Sequence, residues 1–155
     1  MKVKISNYPN WKFYHHWLYD WFGYTPKQKT SIRIDKYDTW SMDHTLAPII
    51  LPMLVQLKAT KHGAPFVDNA DVPKNLRATK KQIDEYGKKG DVDPKHFDRW
   101  DWVLDEMIYA FDCKANKDDV FMRFEIEERD AMKAEQERIS NGFRLFGKYF
   151  EALWD

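Results

Sequence analysis

Asp93-Pro94-Lys95-His96-Phe97-Asp98-Arg99-Trp100-Asp101-Trp102-Val103-Leu104-Asp105-Glu106-Met107-Ile108-Tyr109-Ala110-Phe111 carries the clearest helical signal in the chain. An acid followed by proline starts a helix well, because the carboxylate accepts free N–H groups of the first turn and proline needs no donor there. Phe97, Trp100, Leu104, Met107, Ile108 and Phe111 then recur at steps of three and four. That is the apolar stripe of a helix facing a core, and it should pack on a second, central helix. Asp98, Asp101, Asp105 and Glu106 fall on neighbouring faces, where a carboxylate row either pairs with basic residues of another helix or holds a divalent cation.

The most apolar segment lies upstream, from Thr45 to Leu57. Ser41 is a plausible cap, with Met42, Asp43 and His44 in the first turn, and the helix reads as central and largely buried. Pro48 and Pro52 predict a kink or a late start, since each lacks an N–H and crowds the carbonyl four residues earlier. Either outcome frees backbone polar groups near Asp43 and His44. Lys58 and Lys61 suit the far end, and Gly63 with Pro65 stops it.

Before this helix, Val3 and Ile5 alternate with lysines, and Ile32 and Ile34 alternate with polar residues, as in half-buried strands that can pair as a ribbon. Trp11, Tyr14, Leu18, Trp21 and Phe22 mark a short aromatic helix between them, ended by Gly23 and Pro26. His15 and His16 are adjacent and point about 100° apart on a helix, so they do not share a metal without a third element.

Residues 66–76 have the turn chemistry of a loop, but their acids lack the glycine and closing glutamate of a calcium-binding loop. Ala78 to Tyr86 predicts a polar helix ended by Gly87, and Lys88 to Asp93 a charged connector. After Cys113, Lys117 to Arg138 predicts a long charged helix with a seam of Val120, Phe121, Phe124, Ile126 and Met132, flanked by Glu127 and other charges. Its Glu125-x-x-Glu128 step lacks the second acidic pair that a helical pyrophosphohydrolase needs. Ser140-Asn141-Gly142 reads as a break or an end, followed by an amphipathic segment from Phe143 to Trp154 in which Arg144 and Lys148 share one face.

The expected fold is therefore mostly α: one compact helical domain over residues 1–155, with a small two-stranded β element near the N-terminus and a loop-rich segment at about 64–93. The 25 basic and 25 acidic side chains cancel, so the electrostatic footprint of a general nucleic-acid binder is missing and no general nucleic-acid binding is expected, although the balance leaves room for a local basic pocket. A single cysteine points to a reducing compartment, and neither a signal segment nor a membrane span is expected. The 7 Trp, 8 Tyr and 10 Phe exceed what one small core requires, which leaves some rings for a ligand or partner.

Asp38-Thr39-Trp40-Ser41-Met42-Asp43-His44-Thr45-Leu46, Leu57-Lys58-Ala59-Thr60-Lys61-His62-Gly63-Ala64-Pro65, Arg99-Trp100-Asp101-Trp102-Val103-Leu104-Asp105-Glu106-Met107-Ile108 and Asn141-Gly142-Phe143-Arg144-Leu145-Phe146-Gly147-Lys148-Tyr149 together resemble a family of small uncharacterised proteins of large tailed bacteriophages. The resemblance covers most of the chain from Asp35 onward and brings no catalytic residues. It implies the cytoplasm of an infected bacterial host, where such accessory proteins inhibit enzymes, bind defence proteins or sequester nucleotide signals.

Three readings follow. In the first, a nucleotide-like host immune signal is sequestered without catalysis. Trp40, Trp102 or Tyr109 stack on the base, Arg99, Arg144 or Lys148 contact phosphate, and Asp43 or Asp105 bind ribose; His44 and Glu106 complete the candidate site. In the second, exposed aromatics and the loop-rich segment dock on a host or phage protein. The third is a metal-assisted hydrolase using Asp38, Asp43, His44, Asp105 and Glu106, which lacks any recognised metal spacing. The preferred expectation is binding without catalysis, with no cofactor and no resident metal. A symmetric homo-oligomer or a virion role is compatible with it.

Overall fold

The computed structural model describes residues 1–7, 10–117, 120–125 and 128–154. Alternation of Lys2, Val3, Lys4 and Ile5 gives β1 (Lys2–Ile5), which pairs antiparallel with β2 (Thr30–Arg33), so the expected ribbon forms. Ile34 lies just beyond it. Between the strands, the aromatic run folds as α1 (Phe13–Phe22), and Gly23 closes it at φ 63°, a left-handed backbone that glycine adopts without a Cβ clash. Asp35 then caps a 3₁₀ turn over Lys36–Thr39 by accepting the Tyr37 N–H.

The chain clusters in two compact units, Met1–Met42 and Asp43–Asp155. The physical difference is burial. None of the described residues of the first unit is buried, and every fully buried core side chain belongs to the second.

In the second unit, α2 (Met42–Thr60) leads through a loop with two 3₁₀ turns to α3 (Lys80–Lys89) and α4 (His96–Asn116). The short α5 (Val120–Arg123) precedes α6 (Arg129–Lys148), and a 3₁₀ turn over Phe150–Ala152 follows. Sequence patterning places α2 at the centre, but α4 takes that position. Trp100, Val103, Leu104, Met107 and Ala110 on α4 are fully buried, whereas α2 buries only Ala47 and Leu54. Much of the apolar surface of α2, including Met53 and Val55, is exposed. Both prolines are accommodated within α2 and lie on its exposed side, so the carbonyls of His44 and Pro48, which lose their helical donors, stay within reach of water.

Three other boundaries differ from the expectations. α4 begins after Lys95 rather than at Asp93, although Asp93 still serves its start by accepting the Lys95 N–H at 3.1 Å. α3 runs through Gly87 and ends at Gly90, where φ is 67° and the Asp91 N–H reaches the Tyr86 carbonyl. The largest change is at Ser140-Asn141-Gly142, which lies inside α6 and ends nothing. A Cβ on Gly142 would meet the Glu106 carbonyl at 2.4 Å and the Ala110 Cβ at 2.5 Å. Glycine is there because α4 and α6 touch at this point, and not to turn the chain. The described part of the expected 117–138 helix is divided between α5 and α6. Ile126, Glu127 and the Phe121 side chain lie outside the described residues.

Candidate functional site

The carboxylates that seem available in the sequence are mostly occupied. Asp38 accepts the amino terminus of Met1 at 2.7 Å and the Asp35 N–H at 2.7 Å. The amino terminus is the main cause holding its carboxyl below the usual value, with the Asp35 N–H adding to it. Asp43 pairs with Lys114 at 2.9 Å, and that contact lowers its pKa most. His44 Nδ1 lies 2.9 Å from the Lys114 carbonyl, an acceptor only, so Nδ1 carries the hydrogen. Asp43 and His44 thus fasten the start of α2 to the last turns of α4.

That placement takes Asp43 and His44 away from the Asp105 and Glu106 face. Lys114 is nine residues past Asp105, about 13 Å along the axis of a helix. Asp105 pairs with Lys58 of α2 and Asp101 with Lys61 just past its end, each at 2.5 Å, so the carboxylate row neutralises a neighbouring helix and α2 runs antiparallel to α4. Glu106 is buried and takes the Arg138 guanidinium in a forked contact, with Nη2 at 2.8 Å. Arg99 is also buried; it pairs with Asp93 and donates to the Leu76 carbonyl at 3.1 Å. Trp102 is half-buried against the core, and Trp40 belongs to the first unit.

Arg144 and Lys148 do share a place, but it is already filled by Asp71. Arg144 Nη2 lies at 2.8 Å, Lys148 Nζ at 2.6 Å and the Tyr149 hydroxyl at 2.7 Å from this buried carboxylate. Burial raises its pKa, and the three donors outweigh that to leave it below the ordinary value. Lys148 also holds Asp68, and the two acids push its own pKa upward. The loop over residues 66–76, whose acids lack the calcium-loop pattern, is fixed to the end of α6 by these contacts.

A second polar cluster has no signal in the sequence. Glu135 accepts from Tyr109 at 2.5 Å and from Arg123 at 2.9 Å, while Arg138 stacks over the Tyr109 ring at 3.6 Å. Burial, then the Glu135 contact, pushes the Tyr109 hydroxyl up to about 12. Buried Cys113 lies beside this cluster, with Lys117 Nζ 3.5 Å from its sulfur. The adjacent cavity, lined by His44, Cys113, Lys117 and Arg123 among others, is about 20 Å³, the size of one water and not of a nucleotide. Of the Glu125-x-x-Glu128 pair, the Glu128 carboxylate accepts the Glu125 N–H at 3.1 Å.

Among the described residues no group of three or more His, Cys, Asp or Glu side chains is arranged to hold a metal, and no helix is long and apolar enough to cross a membrane. The side chains of the second unit are largely satisfied by one another. The first unit has ring contacts of its own, such as Trp11 with Tyr19 and Trp17 with Trp21, but buries none of its described residues. Phe13 is 88% exposed, Trp40 85%, Tyr37 and Phe22 72% and Trp21 70%, with Trp11, Trp17, Tyr19 and Tyr24 also exposed. These are large planar rings without a core to enter, and they are the surface on which the molecule can gain most by binding.

No protein-family model, curated protein or solved structure matches the chain.

Proposed function

We propose that this protein works by binding rather than by chemistry, as a docking protein that engages a partner macromolecule through the exposed aromatics of residues 1–42. The carrying observation is the contrast in burial: 11 of the 25 aromatic residues fall within these 42 positions, and none of the described ones is buried. Aromatic side chains exposed at this density normally mark an interface, because each removes a large area from water with few rotatable bonds to fix. In the bacteriophage setting that the resemblance suggests, the partner is a host or phage component met in the infected cell. Sequestration of a nucleotide-like signal draws less support, since Arg99, Arg144, Lys148, Asp43 and Asp105 are each engaged within the fold.

The test is affinity capture from infected bacterial lysate, using the full chain and a Trp17→Ala/Trp21→Ala/Trp40→Ala variant as baits. Retained protein and nucleic acid are both quantified. The wild-type chain is expected to hold a stoichiometric component that the variant loses, while both baits melt at the same temperature. Equal retention by the two baits, or none by either, removes this reading.

A further inference from the structure

We infer that residues 1–42 form a binding surface for single-stranded nucleic acid, with exposed rings stacking on bases and a basic ribbon face receiving phosphates. The inference rests on the docking reading above and names its ligand class.

Charge is the first ground. The neutral total conceals two opposite units: Met1–Met42 has seven Lys and Arg against three Asp, a net +4, and Asp43–Asp155 has 18 against 22, a net −4. The ribbon register concentrates part of the positive charge. Lys2 lies directly across from Arg33, and Lys4 across from Ser31, which puts Lys2, Arg33 and Lys4 on one face with Val3, Ile32 and Ile5 on the other. Like charges facing each other across a two-stranded ribbon destabilise it, and a polyanion relieves that repulsion.

Pairing is the second ground. Among the described residues, Lys2, Lys4, Lys29 and Arg33 make no ion pair. In the second unit Arg99, Lys58, Lys61, Lys114, Arg138 and Lys148 all do. Two acids of the first unit are used locally, Asp38 by the amino terminus and Asp35 by the Tyr37 N–H, and among the described residues neither is ion-paired to Lys2, Lys4 or Arg33.

The arrangement of the rings selects among anions. Phe13, Tyr14, Trp17, Tyr19, Trp21 and Phe22 wind over more than half of the α1 circumference. An interfacial membrane helix carries Lys or Arg along its polar side, whereas the polar side of α1 holds only His15, His16 and Asp20 and gives anionic lipid no lysine or arginine to meet. Rings presented in several directions suit successive unstacked bases, whose faces a duplex hides. Lys36 Nζ lies 5.0 Å from the centroid of the exposed Tyr37 ring, placing a cation beside a stacking surface as each nucleotide requires.

The experiment uses the full chain with fluorescein-labelled dT20 and U20 followed by anisotropy, a 20-base-pair duplex as control, and sedimentation with phosphatidylglycerol/phosphatidylcholine vesicles. Both single strands, or one in preference, are expected to bind more tightly than duplex, with a log–log salt slope of about −2 to −3 for three or four phosphates. Trp21→Ala/Trp40→Ala is expected to weaken binding by about tenfold or more. Arg33→Glu is expected to do the same while stabilising the ribbon, because it faces Lys2 with an opposite charge, so its loss of binding is not unfolding. Binding to vesicles alone, equal binding to duplex, no single-strand binding at low salt, or indifference to Arg33→Glu overturns the inference. Should the oligonucleotides fail while aromatic-dependent capture of a protein persists, the ligand class falls and the docking reading stands.

Discussion

Asp71 shows how much one buried carboxylate can organise. Its three donors come from the last turns of α6 and the residue after it, while Asp71 itself belongs to the loop before α3, so the contact joins segments 77 residues apart in sequence. Asp71→Asn keeps the shape but removes the charge. Because Arg144 and Lys148 are partly in water and Lys148 keeps Asp68, the cost at pH 7 should be about 1–3 kcal/mol rather than that of a fully buried pair. The folded carboxyl titrates below its ordinary 3.8, so its contribution is complete above that pH and is lost as pH falls through the folded value. Urea unfolding of wild type and variant should therefore give a stability gap that is constant near neutrality and closes at strongly acid pH. None of this is legible in sequence: Arg144 and Lys148 show their shared face by their spacing, but the acid that occupies them lies too far away for any spacing rule to find.

The helices divide into those that local pattern describes and those that packing decides. The α4 stripe of Trp100, Leu104, Met107 and Phe111 is read correctly because its period of three and four is itself the packing surface. Phe97 is the exception, at the exposed first turn. α2 is misjudged because high apolar content does not by itself make a helix central; centrality depends on how many neighbours cover it. Gly142 is misjudged because Ser-Asn-Gly has turn composition and the α4 backbone that demands glycine is 36 residues away. Two glycines of α6 make the distinction measurable. Gly142→Ala should lower stability by about 1–3 kcal/mol, since overpacking against a fixed carbonyl exceeds the gain in helix propensity. Gly147→Ala, which meets nothing within 4 Å, should raise it by about 0.5–1 kcal/mol. Urea midpoints that move in the same direction for both would refute the close-approach explanation.

At the level of the whole molecule, the core and the exposed rings belong to different units. A chain reduced to residues 43–155 should keep a single cooperative thermal transition within a few degrees of the full chain, because all fully buried side chains lie there. Residues 1–42 alone should show no cooperative transition. Loss of cooperativity in the 43–155 chain would mean that the first unit supplies core stability. The sequence totals concealed this division: composition counts aromatics and charges without saying which segment holds them, and the candidate site drew residues from both units.

The opposite charges of the two units also govern how copies meet in bulk solution. Near the isoelectric point of about 7.0 there is no net repulsion to keep molecules apart, and +4 and −4 regions on different molecules attract. The colloidal behaviour should be that of a patchy particle, least dispersible at neutral pH and low ionic strength. Added salt screens such contacts over a Debye length of about 10 Å at 0.1 M, so light scattering at pH 7 should fall as salt is raised, a salting-in response that a uniformly charged protein does not give.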